Sequence, residues 1–283
     1  MEEMVVLGGS GFVGGEISEF FSCPATSASG KEGFVKCDAT DVSDLRRVLE
    51  RFRPKVVVNC IGLADVDRAE TDRDLARRLN TDSVYNIVSL QNELGFRLVH
   101  ISTDYVFDGS RGNYSEADEP SPVNVYGSTK LEGEKAALAN PLNLILRISS
   151  PFGRERGTTK MQFFRFVYNS LRQGRTVSAL RDQIVTATYL PDLSRAIRRL
   201  VQSEGAGVFH VTSTEALSRF DFAMMVARLS GLDASLVVPA TVGDMKQWKA
   251  RRPLNTSLSV SKSISAGVSY TKPELAVREL LNI

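Results

Sequence analysis

The chain has 283 residues, 42% of them hydrophobic, enough to bury a large core and suited to one big domain or two unequal ones. Lys and Arg number 35 against 33 Asp and Glu, and a formal charge of +2 provides no broad cationic field for nucleic acid or an acidic membrane surface, although a small anionic ligand remains compatible with it. Cys23, Cys37 and Cys60 are odd in number and lack C-x-x-C spacing, so neither a disulfide framework nor a zinc site is expected, and no metal is assigned.

Met1-Glu2-Glu3 has no basic region, and no apolar run nears the ~18 residues of a spanning helix, so the expected location is cytoplasmic. Met4 to Leu7 is a short apolar run that breaks into a glycine-rich turn, Gly8 to Gly14, after which Val13, Ile17, Phe20 and Phe21 recur at helical spacing. Strand, loop and helix in this order let the backbone approach a pyrophosphate while the helix N-terminus offers free N–H groups to it. Pro24 to Ser29 reads as a short second strand with no carboxylate to accept from a ribose 2′-hydroxyl, whereas Ser27, Ser29 and Lys31 can donate to a 2′-phosphate. NADP(H) is therefore the preferred cofactor, with NAD(H) as the alternative. Phe34 to Cys37 reads as a third strand, followed by Asp38, placed to meet an adenine amino group, and by a helix capped at Asp41 or Ser43. Pro54 to Asn59 is an apolar parallel strand, with Cys60-Ile61-Gly62 at its carboxyl end, where small residues let a cofactor lie flat.

Asp72 to Leu94 carries apolar residues at broadly helical spacing before Gly95 stops it, with Asn80 inside, and Arg97 to Ser102 is the next strand. His100 and His210 read as packed strand residues rather than bases. A long irregular loop, Phe107 to Val125, reaches over the presumed site. The helix that follows, from about Asn124 to Leu138, places Tyr126 and Lys130 on one face. An adjacent lysine charge favours a phenolate and lowers a tyrosine's pKa from about 10. With the Thr103 hydroxyl at the end of the preceding strand, the three groups can surround one substrate oxygen. Leu142 to Arg147 is a further strand. In the second half, Asp182 to Ser203 is expected to return to the sheet as strand and helix, and Arg251 with Arg252 can clamp a diphosphate.

Gly8 to Gly14, Asn59 to Gly62, Ser102-Thr-Asp-Tyr-Val-Phe-Asp-Gly109 and Tyr126 to Lys130 together resemble an extended short-chain dehydrogenase/reductase. Within that superfamily, Asn124-Val-Tyr-Gly, Lys130-Leu-Glu-Gly-Glu134 and Asp182-Gln183 are most similar to the dTDP-4-dehydrorhamnose reductases, a likeness that covers nearly the whole chain. The resemblance implies an α/β fold, a Rossmann-type doubly wound parallel sheet with a smaller α+β C-terminal substrate lobe. Residues 1–147 would form the first and 148–283 the second, with about 182–203 returning to pack on the Rossmann sheet.

The resemblance also implies the activity, NADPH-dependent reduction of the 4-keto group of a nucleotide-linked 6-deoxyhexose in dTDP-L-rhamnose biosynthesis, and the residue roles. Tyr126 would protonate the keto oxygen, Lys130 would bind the nicotinamide ribose, and Thr103 would hydrogen-bond the sugar. Gly8, Ser10, Gly11, Phe12 and Val13 would cradle the pyrophosphate, Asp38 and Ala39 the adenine, and Cys60, Ile61 and Gly62 the ribose side. Asp104, Ser150 and Arg252 join Thr103 as candidate substrate residues. Where the family often has a tryptophan, this chain reads Ser149-Ser150-Pro151, which predicts an open pocket around Ser149, Ser150 and Phe152 unless Phe152 or Trp248 fills it. The alternatives are another sugar-nucleotide epimerase or reductase of the superfamily, or a regulatory subunit resembling that of methionine adenosyltransferase. The partners expected are a nucleotide sugar and a second copy in a homodimer.

Overall fold

Four apolar residues, all buried, form β1 (Met4–Leu7), and the glycine turn leads from it into α1 (Phe12–Phe21). The computed structural model describes residues 3–154 and 162–283. β2 (Thr26–Ser27) and β3 (Val35–Lys36) form a short parallel pair, tied to β1 by a bridge between Val6 and Ala25. Asp41 caps α2 (Val42–Phe52) by accepting from Ser43 N at 2.8 Å, and β4 (Val56–Asn59) is buried throughout.

The segment 72–94 is not one helix. α3 (Val66–Thr71) precedes it, and α4 (Arg73–Arg77) starts where the Asp72 carboxylate accepts from Leu75 N at 3.1 Å. One π-helical turn, Arg78–Asp82, then leads into α5 (Ser83–Leu94). Apolar spacing is blind to a single widened turn, and such turns frequently occur at functional sites. β5 (Arg97–Thr103), α6 (Val125–Leu138) and β6 (Leu144–Ile148) follow.

Beyond β6 come α7 (Phe163–Arg172), β7 (Val177–Leu180), β8 (Ile184–Val185), α8 (Leu190–Gln202) and β9 (Gly207–His210). β10 (Leu217–Ser218), α9 (Arg219–Leu229), β11 (Val237–Ala240), α10 (Ser261–Ser265) and α11 (Pro273–Leu281) complete the chain. The main sheet has five parallel strands in the order β1-β4-β5-β6-β9. The expectation that 182–203 returns to it as strand and helix is corrected here. β8 pairs antiparallel with β10 instead, and the fifth strand is β9. Only α8 returns, packing Leu193 and Ile197 into the core with Ile17, Val58 and Phe209.

The far lobe has its own core of Phe152, Phe164, Val167, Phe222, Val226 and Val277, over the parallel pair β7 and β11. Burying side chains of this size stabilises by about 1.5–3 kcal/mol each. The lobe therefore holds its shape without contributing a strand to the main sheet, whose carboxyl edge is where a ligand of an open α/β sheet binds.

Candidate active site

The glycine turn is shaped by close approach. Gly8 has φ +76°, and a Cβ there would stand 3.1 Å from the Cys60 carbonyl carbon and the Ile61 nitrogen. A Cβ on Gly14 would meet Gly8 O at 2.4 Å, and Gly11 N donates to that same oxygen at 3.1 Å. No side chain caps α1 at Gly11, so its first N–H groups are open to an anion. Ser10, Phe12 and Val13 are half-buried around this turn, as are Cys60 and Ile61 at the end of β4. Gly62 is exposed, and a Cβ there would stand 3.0 Å from Asn80 Oδ1 and 3.9 Å from Lys130 Nζ. The result is a closely packed backbone floor from the α1 terminus to Gly62 beside Lys130, bordered by Ser10, Phe12, Val13, Cys60 and Ile61, which fits a dinucleotide. At its outer end Ser27 Oγ lies 3.1 Å from Ser29 Oγ. Asp38 is exposed, with Oδ1 accepting from Thr40 N at 2.9 Å, and Ala39 is buried beside it.

α6 is pressed against its surroundings through glycines. A Cβ on Gly127 would fall 2.1 Å from Tyr105 O, and one on Gly133 would fall 2.3 Å from Asn80 O. That packing brings the Tyr126 phenol beside the Thr103 hydroxyl and sets the Tyr126 ring edge-on to Tyr105 at 5.7 Å. Burial pushes the phenol's pKa up, while the Thr103 hydrogen bond works against the rise. The expected tuning of the phenol by lysine is not what the geometry shows. Lys130 Nζ donates to Ile101 O at 2.7 Å and lies 3.4 Å from His100 Nε2. Burial lowers the Lys130 pKa to about 8, with the Glu134 charge opposing the fall. Asn59 fixes the histidine. Its Oδ1 accepts from Ile61 N at 3.0 Å, and its Nδ2 lies 3.2 Å from His100 Nδ1. His100 is thus held neutral, its pKa driven well down by burial and then by the Lys130 charge.

Several contributors were assigned no role from the sequence. Asn80, in the π-helical turn, accepts from Leu63 N at 2.7 Å and donates to Thr129 Oγ1 at 2.9 Å. Glu134 and Arg147 form a fully buried pair with Nη2 to Oε2 at 2.7 Å, and Ser102 also donates to Glu134. Glu134 stands one helical turn beyond Lys130, at the end of the Lys130-Leu-Glu-Gly-Glu134 stretch that carries part of the resemblance.

The substrate side departs further from expectation. Asp104 does not face the cleft; it is buried, accepting from Thr103 Oγ1 at 3.1 Å, from Ser149 Oγ at 2.8 Å and from Thr256 Oγ1. Burial raises its pKa against those three hydroxyls. It braces Thr103. Arg252 is neutralised by Asp67 at 3.0 Å, with its guanidinium 4.7 Å over the Trp248 ring, so it is a structural link rather than a free phosphate clamp. The pocket at Ser150 is not open either. Ser150, at φ +39°, accepts from Arg219 Nη1, and Phe163 lies 5.1 Å from that guanidinium. The cavity bounded by Ser150, Phe152, Phe163 and Arg219 holds about 10 Å³. Trp248 instead lines a separate cleft of about 510 Å³ with Asp108, Arg251 and Leu254.

The chain matches the model of the RmlD substrate binding domain over residues 1–283. It is 36% identical over 205 residues to a dTDP-4-keto-6-deoxy-D-glucose reductase of Streptomyces niveus, covering 71% of this chain and 70% of that protein. It is 28% identical to methionine adenosyltransferase 2 subunit beta of Pongo abelii, covering 98% of this chain and 86% of that one. The crystal structure of dTDP-4-dehydrorhamnose reductase from Bacillus anthracis str. Ames in complex with NADP superposes with a TM-score of 0.90 at 26% identity, covering 100% of this chain and 99% of that one. A glycine turn and a Thr-Tyr-Lys cluster stand on a chain matched from end to end, and that match places this protein in the RmlD substrate binding domain family.

Proposed function

We propose that this protein is an NADPH-dependent reductase of the 4-keto group of a nucleotide-linked 6-deoxyhexose. The observation that carries the reading is the convergence of the Tyr126 phenol and the Thr103 hydroxyl beside a floor that ends at Lys130. The Streptomyces and Bacillus relatives, a reductase of such a sugar and a reductase in complex with NADP, support it. Gly8, Ser10, Gly11, Phe12 and Val13 would hold the pyrophosphate, Ser27 the 2′-phosphate, Asp38 and Ala39 the adenine, and Cys60, Ile61, Gly62 and Lys130 the ribose.

When bound, NADPH supplies the hydride. Thr103 orients the keto oxygen, and its own position is set by the buried Asp104. A phenol with an ordinary pKa of about 10 is protonated at neutral pH, and burial raises that of Tyr126 further, so a proton is in place for the developing alkoxide. General acid catalysis of this kind contributes about 10² to 10⁴-fold. Lys130 binds and positions rather than acidifies.

Residues 1–147 are proposed as the dinucleotide-binding domain and 148–283 as the substrate lobe, with α8 and β9 joining the former. A cytoplasmic location and a homodimer complete the proposal. Among the described residues no helix is long and apolar enough to cross a membrane, and Tyr85 on the outer face of α5 is 54% exposed; sedimentation of the purified protein reads the dimer directly. The Pongo relative keeps open a regulatory-subunit reading. Both are decided by one assay, in which purified protein, NADPH and dTDP-4-keto-6-deoxy-sugars are followed at the NADPH absorbance. Stoichiometric NADPH loss with a reduced sugar as product is expected. No turnover with any such sugar sinks the reductase reading, and interconversion of sugars without net NADPH loss replaces it with an epimerase.

A further inference from the structure

Three alternate residues of β5 meet α6 in three different ways. Leu98 packs with Ala136 and Ala137, Ser102 donates to Glu134, and His100, between them, has Nε2 at 3.4 Å from Lys130 Nζ. His100 and its register partner on β4, Asn59, are both fully buried, so their polar atoms have to be satisfied by the groups that touch them. The donors and acceptors along this line have one consistent order. Ile61 N is a backbone donor, which turns the Asn59 Oδ1 to it at 3.0 Å and leaves the Nδ2 of the same amide 3.2 Å from His100 Nδ1. An amide NH2 only donates, so His100 Nδ1 is the acceptor, and the single proton of a neutral imidazole is left to Nε2.

That N–H faces Lys130. An ammonium carries three donors and no acceptor, whereas an amine has a lone pair to take the Nε2 proton and can still donate to Ile101 O at 2.7 Å. The other groups around Nζ leave this balance standing. Among the described residues no carboxylate forms an ion pair with Lys130; Glu134, on α6 itself, favours the ammonium from farther off, with its oxygens engaged by Arg147 and Ser102. Cys60, at the end of β4, is a thiol whose pKa burial pushes up to about 12, and burial raises that of the Tyr126 phenol as well. Neither adds a negative charge. Burial of Lys130 lowers its own pKa to about 8.

We propose that His100, oriented by Asn59 and the Ile61 amide, is a positioning residue that lets Lys130 stand as an amine in the coenzyme-free protein in mildly alkaline solution, and that Lys130 takes up a proton from solvent when NADP(H) binds. One N–H bond forms on Nζ and nothing is oxidised. Carbonyl reduction consumes a proton with each hydride, so the site gains the proton in the same step as the hydride donor. The proposal rests on the coenzyme-binding part of the reading above and is indifferent to the sugar. His100 and His210 are the two histidines of the chain, so NMR of the protein labelled with ¹⁵N-histidine, assigned with His210→Gln, reads the tautomer without coenzyme. At about pH 8.5 the His100 proton is expected on Nε2; a proton on Nδ1, or on both nitrogens, overturns the assignment. Calorimetry of NADPH binding at that pH, in buffers of different ionisation enthalpy, counts protons. Uptake of at least about 0.5 proton per coenzyme is expected in wild type and about none in Lys130→Met; a smaller uptake in wild type, or an equal one in the variant, overturns the proposal. His100→Leu removes the facing N–H, so Lys130 keeps its proton to higher pH and the uptake falls to less than about half, whereas unchanged uptake removes His100 from the account. Asn59→Asp accepts from Ile61 N and from an Nδ1–H alike, and is expected to move the imidazole proton to Nδ1 should the leucine variant not fold; a proton still on Nε2 overturns the part given to Asn59. Failure to bind NADPH overturns the uptake together with the coenzyme reading, while uptake without reduction of any 4-keto sugar keeps it and discards the reductase alone.

Discussion

Tyr126 brings a single polar atom to the site, so removing the phenol oxygen separates chemistry from binding. Tyr126→Phe is expected to lower kcat by about 10² to 10⁴-fold while NADPH still binds in a fluorescence titration; a variant with more than a tenth of wild-type kcat would contradict the acid role. Lys130 gives a pH signature. Burial lowers its pKa from the ordinary 10.5 to about 8, so in the coenzyme-free protein its charge is present below about pH 8 and lost above it. Since the charged form is the one that attracts an anionic coenzyme, kcat/KM for NADPH, which reports the free enzyme, falls as pH rises through that value. A profile flat to pH 10 would show that the lysine keeps its proton. For stability the sign is opposite. Between about 8 and 10.5 the unfolded chain holds the proton that the folded chain has released, so this residue contributes more to stability as pH rises there.

The element that organises the site is α6, and the glycines decide how closely it packs. Gly133→Ala would put a methyl group 2.3 Å from Asn80 O, and overpacking costs about 1–3 kcal/mol. A melting temperature lower by roughly 2–4 °C per kcal/mol is expected, and an unchanged value would mean that the π-helical turn moves freely. The same turn carries Asn80, so Asn80→Leu should raise KM for NADPH more than it shifts melting. Its side chain supports Leu63 N and Thr129 at the edge of the cofactor floor.

For the molecule as a whole, the buried Glu134–Arg147 pair ties α6 to β6 behind the catalytic groups. Breaking such a pair on one side costs about 3–5 kcal/mol, whereas replacing both partners by apolar groups of similar size is often neutral. Arg147→Met is therefore expected to melt well below wild type and Arg147→Met with Glu134→Leu to recover most of the loss. If the double variant is no better than the single one, the pair is not self-contained. Acid stability follows from His210, whose pKa is lowered from 6.5 to about 3 by burial and then by Arg147. The unfolded state binds the proton first, so stability falls as pH drops from about 6.5 toward 3. Melting curves across that range, compared with His210→Gln, measure the contribution.

Strand, glycine turn and helix at the N-terminus, the apolar β4 and the Tyr126–Lys130 spacing were legible because each is a local pattern, set by backbone sterics and by a period that neighbouring residues share. The same holds for the fold class, since alternating strands and helices leave few ways to bury both faces of a parallel sheet. What the sequence could not decide were questions of partnership. Arg252 and Arg219 are chemically identical, and only the folded chain shows that Asp67 occupies one while the other ends beside Ser150. Lys130 looked placed to charge the phenol, but the tertiary fold offers its ammonium the Ile101 carbonyl. Asp104 sits next to Thr103 in the chain, yet Ser149 and Thr256, brought from distant segments, draw its carboxylate inward. Local periodicity determines where a side chain starts, but its charge and role depend on which distant groups desolvate it and which satisfy its hydrogen bonds, and those are brought together only by tertiary packing.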